Sequence, residues 1–232
     1  MMLPRLRKEV AEANISLVRL GLVTLTWGNV SGFDRERGLM VIKPSGVPYD
    51  ELKPGDMVVV DLKGKIVEGR LKPSSDTPTH IELYRNFSTV GGITHTHSKY
   101  ATVFAQARRE LPCFGTTHAD HFHGAVPVTR LLTEAEVLDE YERNTGRVIV
   151  ERMAGIDPVS MPAILVAGHA PFCWGKSPAD SLVNSIALER VAEMAIGVYR
   201  VNPEAQPLPR YILDKHYGRK HGPAATYGQK KQ

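Results

Sequence analysis

The sequence predicts an α/β fold, a mixed β-sheet covered by helices on both faces. Short apolar runs of strand length alternate irregularly with segments of helical apolar spacing. Two of these runs flank a tight glycine-containing turn, a hairpin that a purely parallel sheet would not contain. Several helix starts carry capping residues and first-turn prolines. No internal repeat, low-complexity segment or linker divides the 232 residues, so one domain spanning 1–232 is expected.

Over residues 6 to about 20, Val10, Ala13, Leu17 and Leu20 fall on one side of a helix that Gly21 is placed to stop. Residues 23–30 and Leu39–Ile42 read as short strands. Val58–Asp61 and residues 65–68 flank the turn Leu62-Lys63-Gly64. A helix is expected from 77 to about 87, with Pro78 in its first turn, where a missing N–H is harmless. Residues 91–98, opened by glycines, read as a strand, and a helix follows from 99 to about 108. Thr133-Glu134-Ala135-Glu136 is a capping box that should open a short helix. Residues 163–168 form another apolar run. Ser177-Pro178-Ala179-Asp180 supplies a cap, a proline and an acid for a helix reaching about residue 201.

Composition excludes several classes. Hydrophobic content of 42% and charged content of 23% are those of a soluble globular chain. No run approaches the ~20 apolar residues of a membrane span. The N-terminus becomes charged at Arg5, Arg7 and Lys8 before a signal-type apolar region can form, so a cytoplasmic protein with no membrane partner is expected. Cys113 and Cys173 form no motif and are too few for a disulfide framework, which leaves metal binding to histidines and carboxylates. The net charge of +4 is mild and weighted toward the tail. It is too dispersed for nucleic-acid binding, and a small phosphorylated substrate is another use for it.

His95-Thr96-His97 carries the sharpest chemical signal. Side chains two apart on a strand share a face, about 7 Å apart along it, and can converge on one metal ion. A third histidine, His169, follows the apolar run 163–168. Three neutral imidazoles leave a zinc-like ion its full charge and an open position, the arrangement of a catalytic site. The stretch Lys72-Pro73-Ser74-Ser75-Asp76-Thr77-Pro78-Thr79-His80 places two hydroxyls and a carboxylate before a helix start, whose free N–H groups favour an anion. Asp76 could ligate the metal, act as a base beside it, or simply cap the helix. Lys43-Pro44-Ser45-Gly46 and Trp27-Gly28-Asn29-Val30-Ser31 are ordinary turns singly, but together with a metal pair they suggest a phosphate pocket. His121 and His123 repeat the two-apart spacing as a rival metal pair, and Asp120 beside them could be ligand, acid/base or turn residue. Tyr227 is either part of a frayed end or a proton donor on a tail that folds over the site.

Taken together these motifs are specific. From Trp27-Gly28-Asn29 and Lys43-Pro44-Ser45-Gly46, through Ser74-Ser75-Asp76-Thr77-Pro78-Thr79-His80, His95-Thr96-His97-Ser98 and Thr116-Thr117-His118-Ala119-Asp120, to Asp214-Lys215-His216-Tyr217 and Tyr227-Gly228-Gln229, the sequence resembles the L-ribulose-5-phosphate 4-epimerases of the class II aldolase superfamily. The resemblance runs essentially end to end. It implies a three-layer α/β/α fold with a largely antiparallel sheet. It implies a divalent metal, zinc ahead of manganese or cobalt, and a cyclic homotetramer with active sites between subunits. His95, His97 and His169 would hold the metal, with Asp76 beside it. Gly28, Asn29, Ser45, Gly46, Ser74 and Ser75 match substrate and phosphate contacts, and Lys43 is close by. Asp120 and Tyr227 match an acid/base pair. His216 and Arg219 match tail residues near the site, and a tail of about 210–232 would contribute to it. His121 and His123 are then not the metal site. One departure is local: the family pattern His-Ser-His-Gly is Ala167-Gly168-His169-Ala170 here, so the ligand is kept and its neighbouring histidine is lost.

The implied reaction interconverts L-ribulose 5-phosphate and D-xylulose 5-phosphate, as in arabinose breakdown, by breaking and remaking the bond between carbons 3 and 4. The nearest rival is a class II sugar-phosphate aldolase of the L-fuculose-phosphate type, releasing dihydroxyacetone phosphate and an aldehyde. Those enzymes typically carry Glu where this chain has Asp76. A non-catalytic metal- or nucleic-acid-binding protein would explain neither the serine turns nor the end-to-end match.

Overall fold

A computed structural model describes residues 1–222 and Ala225. Its elements, in chain order, are α1 (Pro4–Arg19), β1 (Gly28–Asp34), β2 (Leu39–Ile42), β3 (Val58–Asp61), β4 (Ile66–Glu68), α2 (Thr77–Asn86), β5 (Gly92–Thr96) and α3 (Lys99–Gln106). There follow α4 (Thr116–Ala119), α5 (Glu134–Leu138), α6 (Tyr141–Arg152), β6 (Ala163–Leu165), β7 (Pro171–Gly175), α7 (Pro178–Val201) and α8 (Arg210–His221). The strands form one seven-stranded sheet in the order β4-β3-β2-β1-β5-β7-β6. Its ladders are antiparallel, and a parallel bridge joins Val128 to Leu165 outside them, in keeping with the expected mixed, largely antiparallel sheet.

Strand alternation sorts the core into two layers. Val30, Leu39, Val41 and Val59 pack with Val10, Ala13 and Leu17 of α1. Phe33, Met40, Ile42, Val58 and Val60 point to the opposite face, packing with Ile81 and Leu83 of α2 and Ile149 of α6. Asn14 stitches α1 to β1 inside the first layer: its amide donates to the Val30 carbonyl (3.0 Å) and its oxygen accepts from the Val30 N–H (2.8 Å). The cap at Ser177, whose hydroxyl accepts from the Asp180 N–H, starts α7 where expected, and the Thr133–Glu136 capping box opens α5.

The first strand differs from expectation. Residues 23–27 are not in the sheet: the Trp27 N–H closes a turn onto the Thr24 carbonyl (3.1 Å), Leu25 adopts a left-handed φ of 52°, and both Leu25 and Trp27 are exposed. The strand is instead Gly28–Asp34, where buried Asn29 and Ser31 disguise the inward face because their polar side chains hydrogen-bond to Asp76 and His80. Helices α4, α6 and α8 and strand β7 lack the sequence signals used above. β7 begins at a proline, and α6 is charged and packs on α2 through Gly146, where a Cβ would lie 2.7 Å from the Glu82 Cβ.

Candidate active site

Antiparallel pairing builds the site across three strands. Asn29 of β1 lies opposite His95 of β5, which lies opposite Phe172 of β7. His97 follows the end of β5, and His169 sits in the turn before β7. The three imidazoles converge: their ligand atoms all lie within 4.8 Å of one another. His95 is buried, His169 half-buried and His97 exposed, so the cluster opens to solvent on the His97 side.

The chemistry of this donor set fits a divalent cation. His95 Nδ1–H donates to the Pro171 carbonyl (3.0 Å), which fixes its tautomer and leaves Nε2 as a lone-pair donor. Burial lowers the pKa of all three rings, to about 4 for His169, so they are neutral at physiological pH as ligands must be. His169 Nδ1 is buried with no hydrogen-bond partner among the described residues. The Phe172 ring stacks on His95 at 4.1 Å and 17°, locking the imidazole between ring and backbone.

Asp76 stands beside the cluster without belonging to it. Its Oδ2 accepts from Asn29 Nδ2 at 2.6 Å, and the same amide reaches Ser74 Oγ at 3.1 Å. Burial raises the Asp76 pKa, but His95, His80 and the Asn29 amide outweigh it and hold the carboxyl below its ordinary value. Behind it Ser31 Oγ bridges His80 Nδ1 (2.7 Å) and the Tyr84 hydroxyl (2.8 Å), a buried polar seam between β1 and α2.

A cavity of about 400 Å³ extends from the histidines. Its walls include Gly28, Asn29, Lys43, Ser45, Gly46, Ser74, Ser75 and Asp76, so the turns expected to hold a phosphate do meet at one place. Gly28 is required where it stands: φ is 130°, and a Cβ would lie 2.7 Å from the His95 carbonyl oxygen. Lys43 is 2% exposed, and its ammonium donates to the carbonyls of Val47 (2.7 Å) and Pro44 (3.3 Å), clasping the turn that carries Ser45 and Gly46. Burial lowers its pKa to about 8.

Tyr141 and Glu142 at the start of α6 also line the cavity, and sequence reasoning missed both. No period or motif marks them. They arrive because Thr79 Oγ1 donates to the Glu142 carbonyl (2.5 Å) and Glu82 pairs with Arg143 (3.1 Å). Phe172 was missed as well, although β-strand alternation after His169 could have suggested it.

The remaining expected residues lie elsewhere. Asp120, at the end of α4, accepts from Arg219 Nε (3.1 Å) and Nη2 (2.8 Å) and from His216 Nδ1 (3.3 Å), so α4 and α8 form a second cluster outside the cavity lining. Burial raises the Asp120 pKa, but the Arg219 hydrogen bond and the Lys220 charge prevail and keep it low. His123 pairs with Asp214 at 2.7 Å and stacks on Tyr217, so the rival pair with His121 does not converge on a metal. Tyr227 lies outside the described residues. Ala167 is buried, and its N–H donates to Thr129 Oγ1 (3.0 Å), filling the place beside His169 with backbone and a small side chain.

Comparison with known proteins gives a consistent set. A family model described as the class II aldolase and adducin N-terminal domain matches residues 8–196. The chain is 54% identical over 226 residues to L-ribulose-5-phosphate 4-epimerase UlaF of Salmonella paratyphi B (strain ATCC BAA-1250 / SPB7), covering 97% of this chain and 99% of that protein. Identity to UlaF of Salmonella typhi is likewise 54%, with 97% and 99% covered. A solved L-fuculose 1-phosphate aldolase superposes with a TM-score of 0.74 at 28% identity, covering 93% of this chain and 95% of that one. The L-fuculose-1-phosphate aldolase of Thermus thermophilus shares the fold, with a TM-score of 0.67, 24% identity, and coverage of 87% and 98%.

Proposed function

The chain belongs to the class II aldolase and adducin N-terminal domain family, and from that premise we infer that it is an L-ribulose-5-phosphate 4-epimerase. The observation that carries this reading is the convergence of His95, His97 and His169 at one end of a cavity whose other walls are the serine and glycine turns. Class II aldolases depend on a divalent metal. Zinc, held by these three imidazoles, supplies Lewis-acid stabilisation of negative charge on the substrate oxygens when bound.

The chemistry explains why such a site is needed. The hydrogen on carbon 4 of L-ribulose 5-phosphate is not acidic, because the ketone is at carbon 2. A base instead removes the proton of the carbon-4 hydroxyl, and the bond between carbons 3 and 4 breaks. The fragments are the enediolate of dihydroxyacetone and glycolaldehyde phosphate. The aldehyde turns, the bond reforms on its other face, and an acid protonates the new alkoxide from the opposite side. Asn29 fixes Asp76 beside the reacting oxygens. The Ser45, Ser74 and Ser75 hydroxyls and the Gly46 and Ser75 N–H groups hold the phosphate, with the Lys43 charge behind them; the Ser45 and Ser74 N–H groups instead donate to the Lys72 and Lys43 carbonyls and fix the two turns against each other.

Two acid/base groups on opposite faces are required, and Asp120 and Tyr227 take these roles. Within one chain the Asp120 cluster lies outside the cavity lining, so this reading includes a cyclic homotetramer in which a neighbouring copy presents Asp120, His216 and Arg219. No described helix is long and apolar enough to cross a membrane, and the reading places the enzyme in the cytoplasm, in pentose breakdown. The aldolase alternative draws support from the 28% identity to a fuculose-phosphate enzyme. Proton NMR of the metal-loaded protein with L-ribulose 5-phosphate separates the two. D-Xylulose 5-phosphate with at most trace fragments is expected; accumulation of dihydroxyacetone and glycolaldehyde phosphate would assign a net cleavage enzyme, and unchanged substrate would overturn the epimerase reading.

Lys43 sets an alkaline limit. Its pKa of about 8 means that the ammonium is present below that pH and lost above it. For the free enzyme, kcat/KM should therefore fall by up to about tenfold per pH unit above 8. In Lys43→Met that limb should disappear, with kcat/KM low throughout. An identical alkaline limb in the variant would detach Lys43 from substrate binding.

A further inference from the structure

The cavity mouth carries two aromatic rings that no step above uses. Trp27 is 52% exposed and Tyr141 is 37% exposed, yet both line the same cavity whose floor residues Asn29, Lys43 and His95 are 2% exposed. The Trp27 ring lies 6.4 Å from that of His97, and the Tyr141 ring 6.4 Å from that of His169. His97 and His169 are themselves 4.9 Å apart, so the aromatic rings flank the solvent-facing pair of imidazoles.

Neither ring is on a loose segment. Trp27 is set by the turn from Thr24 and by Gly28, whose backbone runs against the His95 carbonyl. Tyr141 opens α6, whose first turn is clamped to α2 by the Thr79–Glu142 hydrogen bond and the Arg143–Glu82 pair. Both rings are held at the mouth of the cavity directly beside the two outer imidazoles, on the side where a neighbouring copy would close the site. A role in covering what binds there accounts for both positions.

We propose that Trp27 and Tyr141 form an aromatic rim that excludes water from the enediolate and so sets the partition between epimerisation and net cleavage. This rests on the epimerase reading. The enediolate of dihydroxyacetone is a strong base at the former carbon 3. If water reaches it, a proton passes from water to that carbon, hydroxide is left, and the products are dihydroxyacetone and glycolaldehyde phosphate. An epimerase must suppress this loss for as long as the aldehyde takes to turn, and exclusion of water is the available means. The serine and glycine turns hold the phosphate half of the substrate; the rim guards the other half. Trp27 and Tyr141 are positioning residues, since they exchange no proton with the substrate.

The test is turnover of L-ribulose 5-phosphate in deuterium oxide by the metal-loaded enzyme, with both product sets counted by NMR. Trp27→Ala and Tyr141→Ala should each raise the ratio of fragments to D-xylulose 5-phosphate on the order of tenfold. The dihydroxyacetone formed should carry one deuterium, and metal content should match the parent. Trp27→Phe and Tyr141→Phe, which keep a ring, should stay near the parent ratio. A merely structural role would lower both products together and leave the ratio unchanged, which would overturn the rim. A parent enzyme that makes no D-xylulose 5-phosphate would instead overturn the epimerase reading, and the rim with it.

Discussion

His97→Asn is expected to lose bound metal and epimerisation together. His97 is the informative member of the histidine cluster to change because it lies beyond the end of β5 and is exposed, whereas His95 is buried between Phe172 and the Pro171 carbonyl. The fold should therefore survive the substitution, with an unchanged circular dichroism spectrum. Loss of one of three imidazoles should weaken metal affinity by more than the roughly 10–100-fold typical of losing a hydrogen-bond partner behind a ligand. Turnover should fall in step, because charge stabilisation at the substrate oxygens falls with occupancy. Elemental analysis after dialysis and steady-state rates check both halves. Full metal content in His97→Asn would remove this residue from the ligand set.

Asp120→Asn should give the opposite separation, with normal metal content and kcat reduced by roughly 10²–10⁴-fold. The carboxylate is kept ionised by Arg219 and Lys220, so at neutral pH it is a proton acceptor, and the amide cannot replace it. The same charges tie α8 to α4, and the depressed pKa stabilises this contact above the ordinary carboxylate range. That stabilisation is lost as pH falls through the depressed value. Because Asp120 is not among the residues lining the histidine cavity of its own chain, mixing the two inactive variants offers a sharper readout. Dissociated and reassembled together, His97→Asn and Asp120→Asn subunits should recover activity, since some sites would pair an intact metal centre with an intact Asp120. No recovery after verified subunit exchange would place both groups in one chain's site or remove Asp120 from the reaction.

Much of the centre was legible from residue spacing. His-x-His on a strand states its own geometry, because alternation leaves both rings on one face. His169 was legible only as a histidine after an apolar run; what joins it to the others is the pairing of β5 with β7, and β7 opens on Pro171 and carries no alternating pattern. β1 misled for a related reason. Its inward positions are Asn29 and Ser31, which turn polar side chains toward Asp76 and His80, while the apolar residues just before it, Leu25 and Trp27, stay in solvent. Buried polar contacts stand where the hydrophobic pattern would have marked the strand. α6 was invisible because its contact with α2 runs through Gly146, Thr79 and an ion pair rather than an apolar stripe. The Asp120 cluster was readable as a motif but not as a location, since its partners Arg219 and His216 lie almost a hundred residues further along.

Reversible cleavage between carbons 3 and 4 is the claim on which the roles of all these residues depend, and the fate of the hydrogen on carbon 4 tests it most directly. The metal-loaded enzyme would convert L-ribulose 5-phosphate in deuterium oxide, and the D-xylulose 5-phosphate formed would be examined by proton NMR. Bond cleavage leaves that hydrogen attached to the aldehyde carbon throughout, so the expected product carries full protium at carbon 4. Deuterium at carbon 4 would mean that the hydrogen itself is removed and replaced, and would contradict the account.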